Sequence, residues 1–132
     1  MIWPLPVGEM KESCFSAVMP VMGWNQWQKW VAPFSIAQCR AGVVGSMPAL
    51  NARPASQLDE WLAEITDALA AHDRAHPEAP AAPFAINQIV HKSNDRLDHD
   101  MQMCAKYNVP IIISSLGARP EITPMTLERL QA

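Results

Sequence analysis

The sequence predicts an α/β fold built from parallel βα repeats. Three short, nearly continuous apolar runs, VVGSMP, FAINQIV and PIIISSLG, have the character of strands covered by other elements. Between them lie segments whose apolar residues recur with helical spacing, and glycine, asparagine or proline marks the junctions. Strand, helix, strand, helix, strand is the order that parallel pairing requires, because each parallel connection needs a long crossover.

Residues 1–35 form an N-terminal segment with no clear element, in which WNQWQKW places tryptophan at every third position from Trp24 to Trp30. One lysine and no sustained amphipathic pattern make packing a better reading of that stripe than a membrane-interface belt. The run IAQCRAG reads as a helix end closed by Gly42, which suits the left-handed residue that stops a helix. The first strand is expected near Val43–Met47. After ALNARP, Ser56 with Asp59 three residues on is the pattern of a helix cap, and Leu58, Trp61, Leu62, Ile65 and Leu69 then fall on one face. This helix is expected to stop near Arg74, because the prolines of HPEAPAAP cannot continue it. The second strand is expected at Phe84–Val90. Ser93 or Asn94 is then the expected cap of a helix presenting Leu97, Met101, Cys104 and Ala105, which Asn108 and Val109–Pro110 end. The third strand is expected at Pro110–Ser115, and residues 120–132 are an atypical C-terminal tail.

A length of 132 residues suits one domain, and 49% hydrophobic with 17% charged residues is a globular composition. The net charge of -3 gives no electrostatic reason to expect nucleic acid, so the expected partner is a small molecule. Cys14, Cys39 and Cys104 are odd in number and lack C-x-x-C spacing, which indicates neither a disulfide framework nor a zinc site and suits a reducing compartment. No run approaches the roughly 20 apolar residues of a membrane span. Glu9, Lys11 and Glu12 interrupt any signal-peptide core, so a cytoplasmic protein with no membrane partner is expected.

Parallel βα repeats close as a barrel or stay open as a doubly wound sheet, and both bind ligands at the carboxyl ends of the strands. Asn87 and Gln88 fall late in the second strand, His91–Asn94 follow it, Ser114, Ser115 and Gly117 end the third, and Ser46 and Met47 end the first. The period of two sets Asn87 and Gln88 on opposite faces. Asn87 shares its face with Ala85 and Ile89 and is the better candidate for the rim. A buried amide needs a partner, and backbone is the ordinary one. His91, able to titrate near neutral pH, and Ser115 are further rim candidates for a general base or orienting group, without an assigned catalytic role. His72 and His76 have the i, i+4 spacing of a metal pair, but no glutamate lies between them and Pro77 follows, so no metal site is assigned. No dinucleotide or P-loop glycine motif occurs.

In AQCRAGVVGSMPALNARP, LDEWLAEI, PFAINQIVHKSNDRLDHD and VPIIISSLGAR, taken in order, the sequence resembles the nitronate monooxygenase family, formerly the 2-nitropropane dioxygenases. The resemblance runs from about Ile36 to Arg119. It implies a (β/α)₈ TIM barrel, FMN as cofactor, and oxidation of alkyl nitronates by dioxygen to carbonyl compounds and nitrite. On this resemblance Asn87 matches the asparagine that contacts the flavin, and Met22 and Gly23 match the family's first strand and its flavin-approaching loop. WNQWQKWVAPFS and EITPMTLERLQA depart from the family pattern. A complete barrel has about 250 residues, so residues 36–119 correspond to a partial flavin-binding barrel of about the first four strands. The family takes its phosphate-holding glycine loops and its catalytic histidine from later strands, which implies that this chain is an inactive fragment. Two other readings stand beside it: a non-catalytic half barrel that self-associates through open sheet edges, and a small α/β ligand-binding domain.

Overall fold

A computed structural model of the chain describes residues 24–117. Two compact units divide between Trp30 and Val31, and of the first only residues 24–30, the start of a helix, belong to the described set. Met22, Gly23 and the tail 120–132 lie outside it. The elements are α1 (Trp24–Arg40), β1 (Gly45–Pro48), a 3₁₀ turn (Ala49–Asn51), α2 (Gln57–Ala75), β2 (Phe84–Ile89), α3 (Leu97–Lys106) and β3 (Ile111–Ser115).

The three strands form one parallel sheet in the order β1-β2-β3, as expected. Gly45 lies opposite Phe84, Met47 opposite Ile86, and Ile86 opposite Ile112, so these side chains share one face. Ser46, Ala85, Asn87, Ile89, Ile113 and Ser115 belong to the other. The first face carries the core. Met47, Phe84 and Ile86 are buried there with Ala32, Ile36 and Cys39 of α1, with Leu58, Trp61, Leu62, Ile65 and Leu69 of α2, and with Cys104 of α3. Val90, Leu97 and Met101 form a smaller cluster against Ile112. Each fully buried leucine or isoleucine contributes about 1.5–3 kcal/mol. The packing face of α2 is the stripe its sequence spacing predicts.

The buried residues of all three helices therefore gather on one side of the sheet. Right-handed crossovers between neighbouring parallel strands in sequential order produce that one-sided arrangement. The contact of α1 with β1 is close enough to require Gly45: a Cβ there would collide with the Ser35 carbonyl oxygen and lie 2.9 Å from Cys39 Sγ. Cys39 also accepts the Ala82 N–H at its carbonyl oxygen, 2.9 Å away, which fixes the entry to β2.

Two helix ends use the same device with different residues. At the end of α1, Val43 N donates to Gln38 O at 3.1 Å and Gly42 N to Cys39 O at 3.0 Å, with Gly42 at φ +82°. At the end of α3, Val109 N donates to Cys104 O at 3.0 Å and Asn108 N to Ala105 O at 3.2 Å, with Asn108 at φ +49°. Val43 thus belongs to the helix stop, and β1 starts two residues later than the apolar run suggests.

The helix starts differ from expectation. Ser56 is itself in the helical region, at φ -58° and ψ -24°, and makes no side-chain cap. The amides of Gln57, Leu58 and Asp59 already donate to Pro54, Ala55 and Ser56 carbonyls, so the hydroxyl has no orphan donor to serve. Asp59 instead accepts from Lys106 Nζ at 2.6 Å and Tyr107 OH at 2.9 Å, joining α2 to α3. Before α3 it is Asn94 and not Ser93 that holds the turn: Oδ1 accepts the Arg96 N–H at 3.2 Å and Nδ2 donates to Ile89 O at 2.8 Å.

Candidate functional site

Among the described residues, the face of the sheet away from the helices carries a polar side-chain pair, Asn87 and Ser115. Ser115 Oγ donates to Asn87 Oδ1 at 2.6 Å. Ser115 pairs in register with Ile89, and its side chain reaches the diagonal neighbour on β2, as two residues on one sheet face can. Its backbone is fixed too, because Val90 N donates to Ser115 O at 2.8 Å. Asn87 is half-buried, and among the described residues nothing accepts from its Nδ2. The pair therefore presents a donor near the carboxyl ends of β2 and β3. Asn87 and Ser115, named separately from the sequence, are brought together.

His91 is held within its own loop. Its Nδ1 accepts the Ser93 N–H at 3.2 Å and lies 2.7 Å from Ser93 Oγ. An Nδ1 that accepts a backbone amide carries no proton, which leaves Nε2 as the ring's N–H. Ser46 does not end β1 as expected: it is exposed but pairs with Ala85 at the start of β2, since β1 runs on to Pro48, whereas Met47 is buried in the core and offers nothing to a ligand. Met22 and Gly23 lie outside the described residues.

Gln88 faces the helices. It is fully buried, with Nε2 3.3 Å from Cys104 Sγ and no partner for Oε1. Burial pushes the Cys104 thiol up to about 11, against a smaller opposing effect of the Gln88 bond, so the sulfur is a neutral thiol at ordinary pH. The rings of His72 and His76 stand 4.8 Å apart, with His72 Nε2 3.2 Å from Ala79 O and His76 3.5 Å from Glu78. Among the described residues no cluster of three or more metal-binding side chains occurs. None of their helices is long and apolar enough to cross a membrane.

Sequence reading missed the Arg96–Asp100 pair. Arg96 Nη2 lies 3.1 Å from Asp100 Oδ1, His99 Nδ1 lies 3.0 Å from the same oxygen, and Asp100 is fully buried. Arg96 Nη1 donates to Ala52 O at 2.7 Å, which ties the loop after β1 to the start of α3. A signal existed: Asp100 falls on the same helical stripe as Leu97, Met101 and Cys104, where a carboxylate needs a partner.

No family model, curated protein or solved structure matches this chain.

Proposed function

We propose that this chain is part of a (β/α)₈ barrel of the nitronate monooxygenase type, in which Asn87 meets the flavin ring. The supporting observation is the one-sided sheet. In a barrel the helices lie outside and the opposite face lines the interior, and three sequential parallel strands with their helices on one face fit a segment of such a barrel, as they also fit one half of a doubly wound sheet. Asn87 and Ser115 stand on the face that carries no helix among the described residues, near the carboxyl ends of their strands, which is where barrels bind ligands.

The residues fit the ring of FMN better than its phosphate. The unpartnered Nδ2 of Asn87 suits an acceptor on a ring edge. A phosphate needs a cluster of backbone donors, typically a glycine loop ahead of a helix. Of the three glycines among the described residues, Gly42 closes α1 and Gly45 packs under Ser35, so neither supplies that loop, and Gly117 is the last described residue. FMN, when bound, supplies the electron acceptance that oxidation of a nitronate by dioxygen requires. The contribution of these residues is to bind and orient: Asn87 donates to the ring, Ser115 fixes Asn87, and His91 offers Nε2–H at the neighbouring loop. The expected reaction of the complete barrel takes alkyl nitronate and dioxygen to a carbonyl compound and nitrite. Ring contacts alone must offset an immobilisation cost of roughly 4–15 kcal/mol, so this chain by itself is expected to bind FMN weakly and to release no nitrite.

The test is to incubate the purified chain with FMN, remove free flavin by gel filtration, and assay nitrite from propyl-2-nitronate. A colourless, inactive fraction that still binds FMN reversibly at higher concentration fits the proposal. A yellow monomer releasing nitrite in proportion to protein contradicts the fragment reading, and absence of any FMN binding contradicts the flavin reading.

A second reading has its own support. Among the described residues β1 and β3 each pair on one side only, and Val43, Val44 and Ile113 are exposed. Open edges and exposed apolar side chains favour association with a second copy of the chain. A concentration-dependent dimer without flavin affinity would favour this non-catalytic reading.

A further inference from the structure

We infer that Ser115 is a positioning residue: it fixes which end of the Asn87 amide is engaged by β3 and which end is left for a ligand, so this point on the rim selects ligands that present a hydrogen-bond acceptor. The inference deepens the flavin proposal and rests on it for the identity of the ligand, but the amide lock stands on geometry alone.

An asparagine side chain has an acceptor end and a donor end of nearly equal size, and its partners decide which is which. The 2.6 Å contact with Ser115 Oγ is the separation of an O–H···O bond and is short for an N–H···O bond. Oδ1 is therefore the end turned toward β3. The Ser115 backbone is held beside β2, since Ile89 pairs with it in register and its carbonyl oxygen accepts from Val90, and this keeps its hydroxyl within reach of Asn87. With Oδ1 engaged, Nδ2 is the end left for a ligand. A carbonyl or an unprotonated ring nitrogen can accept from it, whereas an N–H edge would leave two donors facing each other. Oxidised FMN carries both kinds of edge, and the rim is built for its acceptor edge.

The experiment uses the whole chain, labelled with ¹⁵N, and follows the Asn87 side-chain amide by NMR in wild type, Ser115→Ala and Ser115→Thr. In the free protein the two Asn87 Hδ2 protons of wild type and Ser115→Thr are expected to give distinct, slowly exchanging signals. Those of Ser115→Ala are expected to move and broaden while the backbone amides of β1 and β2 stay in place. FMN is then titrated. It is expected to shift the Asn87 Hδ2 signals in wild type and Ser115→Thr, with apparent affinity about two- to tenfold weaker in Ser115→Ala, the range for loss of one oriented neutral hydrogen bond. Unchanged Asn87 signals in free Ser115→Ala would overturn the amide lock whatever flavin does. An altered Asn87 signal with unaltered FMN affinity would overturn the selection by acceptor. If FMN moves no Asn87 signal in wild type, the flavin contact fails, and with it the ligand selection, while the lock stands or falls on the free-protein spectra.

Discussion

Arg96 Nη1 donates to the carbonyl oxygen of Ala52 at 2.7 Å and so joins the start of α3 to the loop that leaves β1. The guanidinium also reaches Asp100, a carboxylate with no solvent exposure and one oxygen without a partner. Removing one partner of a buried pair leaves the other charge uncompensated, at a cost of about 3–5 kcal/mol. Arg96→Ala is expected near the low end of that range, because His99 still contacts Asp100. Urea unfolding measures it; a midpoint equal to that of wild type would show that the pair does not hold the loop.

Gly45→Ala tests the packing of α1 on the sheet. The added methyl meets the Ser35 carbonyl oxygen and Cys39 Sγ, atoms of a helix that must shift to admit it. Overpacking of this kind costs about 1–3 kcal/mol. The expected result is a lower melting temperature with the secondary structure content retained, and an unchanged melting temperature would place α1 differently.

Much of this fold was legible because backbone chemistry left few choices. The three apolar runs could pair only in parallel across their crossovers, and Gly42 and Asn108 stand at the two positive-φ positions that end helices. The start of α1 was not legible, because Pro33 lies inside the helix and a proline there ordinarily signals a break. The Ser56 cap failed because a backbone turn beginning at Pro54 had already satisfied the donors it would serve. The period of two could set Asn87 apart from Gln88, and Ala85 and Ile89 on its face pointed it to the rim. Its bond to Ser115 joins two strands and depends on their register, which local sequence does not carry.

The Asp59 bridge predicts a pH dependence. Bonds from Lys106 and Tyr107 hold the Asp59 carboxyl below its ordinary value, and bonds to Asp59 and Tyr107 raise Lys106 above its own. A lowered acid stabilises the fold above its unfolded pKa and loses that contribution as pH falls through the folded value. A raised base contributes below its unfolded pKa and loses it as pH rises through the folded one. Asp59→Asn is therefore expected to reduce stability slightly near pH 7 and to match wild type in strong acid. High salt shrinks the difference, since the groups are exposed. A difference that grows in acid would contradict the bridge.

Cys104 is expected to resist alkylation in the native protein. Its thiol, pushed up to about 11 by burial, has little thiolate at pH 8 and little access. Iodoacetamide followed by peptide mass analysis should label Cys104 only after denaturant is added. The same shift predicts stability lost as pH rises from the ordinary thiol range toward 11. Rapid native labelling of Cys104 would show that the α3 contact with Gln88 opens readily.

Equilibrium dialysis of FMN against wild type and Asn87→Ala tests the proposed contact between Asn87 and flavin most directly. Saturable weak binding by the wild type, weakened about two- to tenfold in Asn87→Ala with the circular dichroism unchanged, is the expected result. Equal binding by the two proteins, or no saturable binding by either, would contradict it.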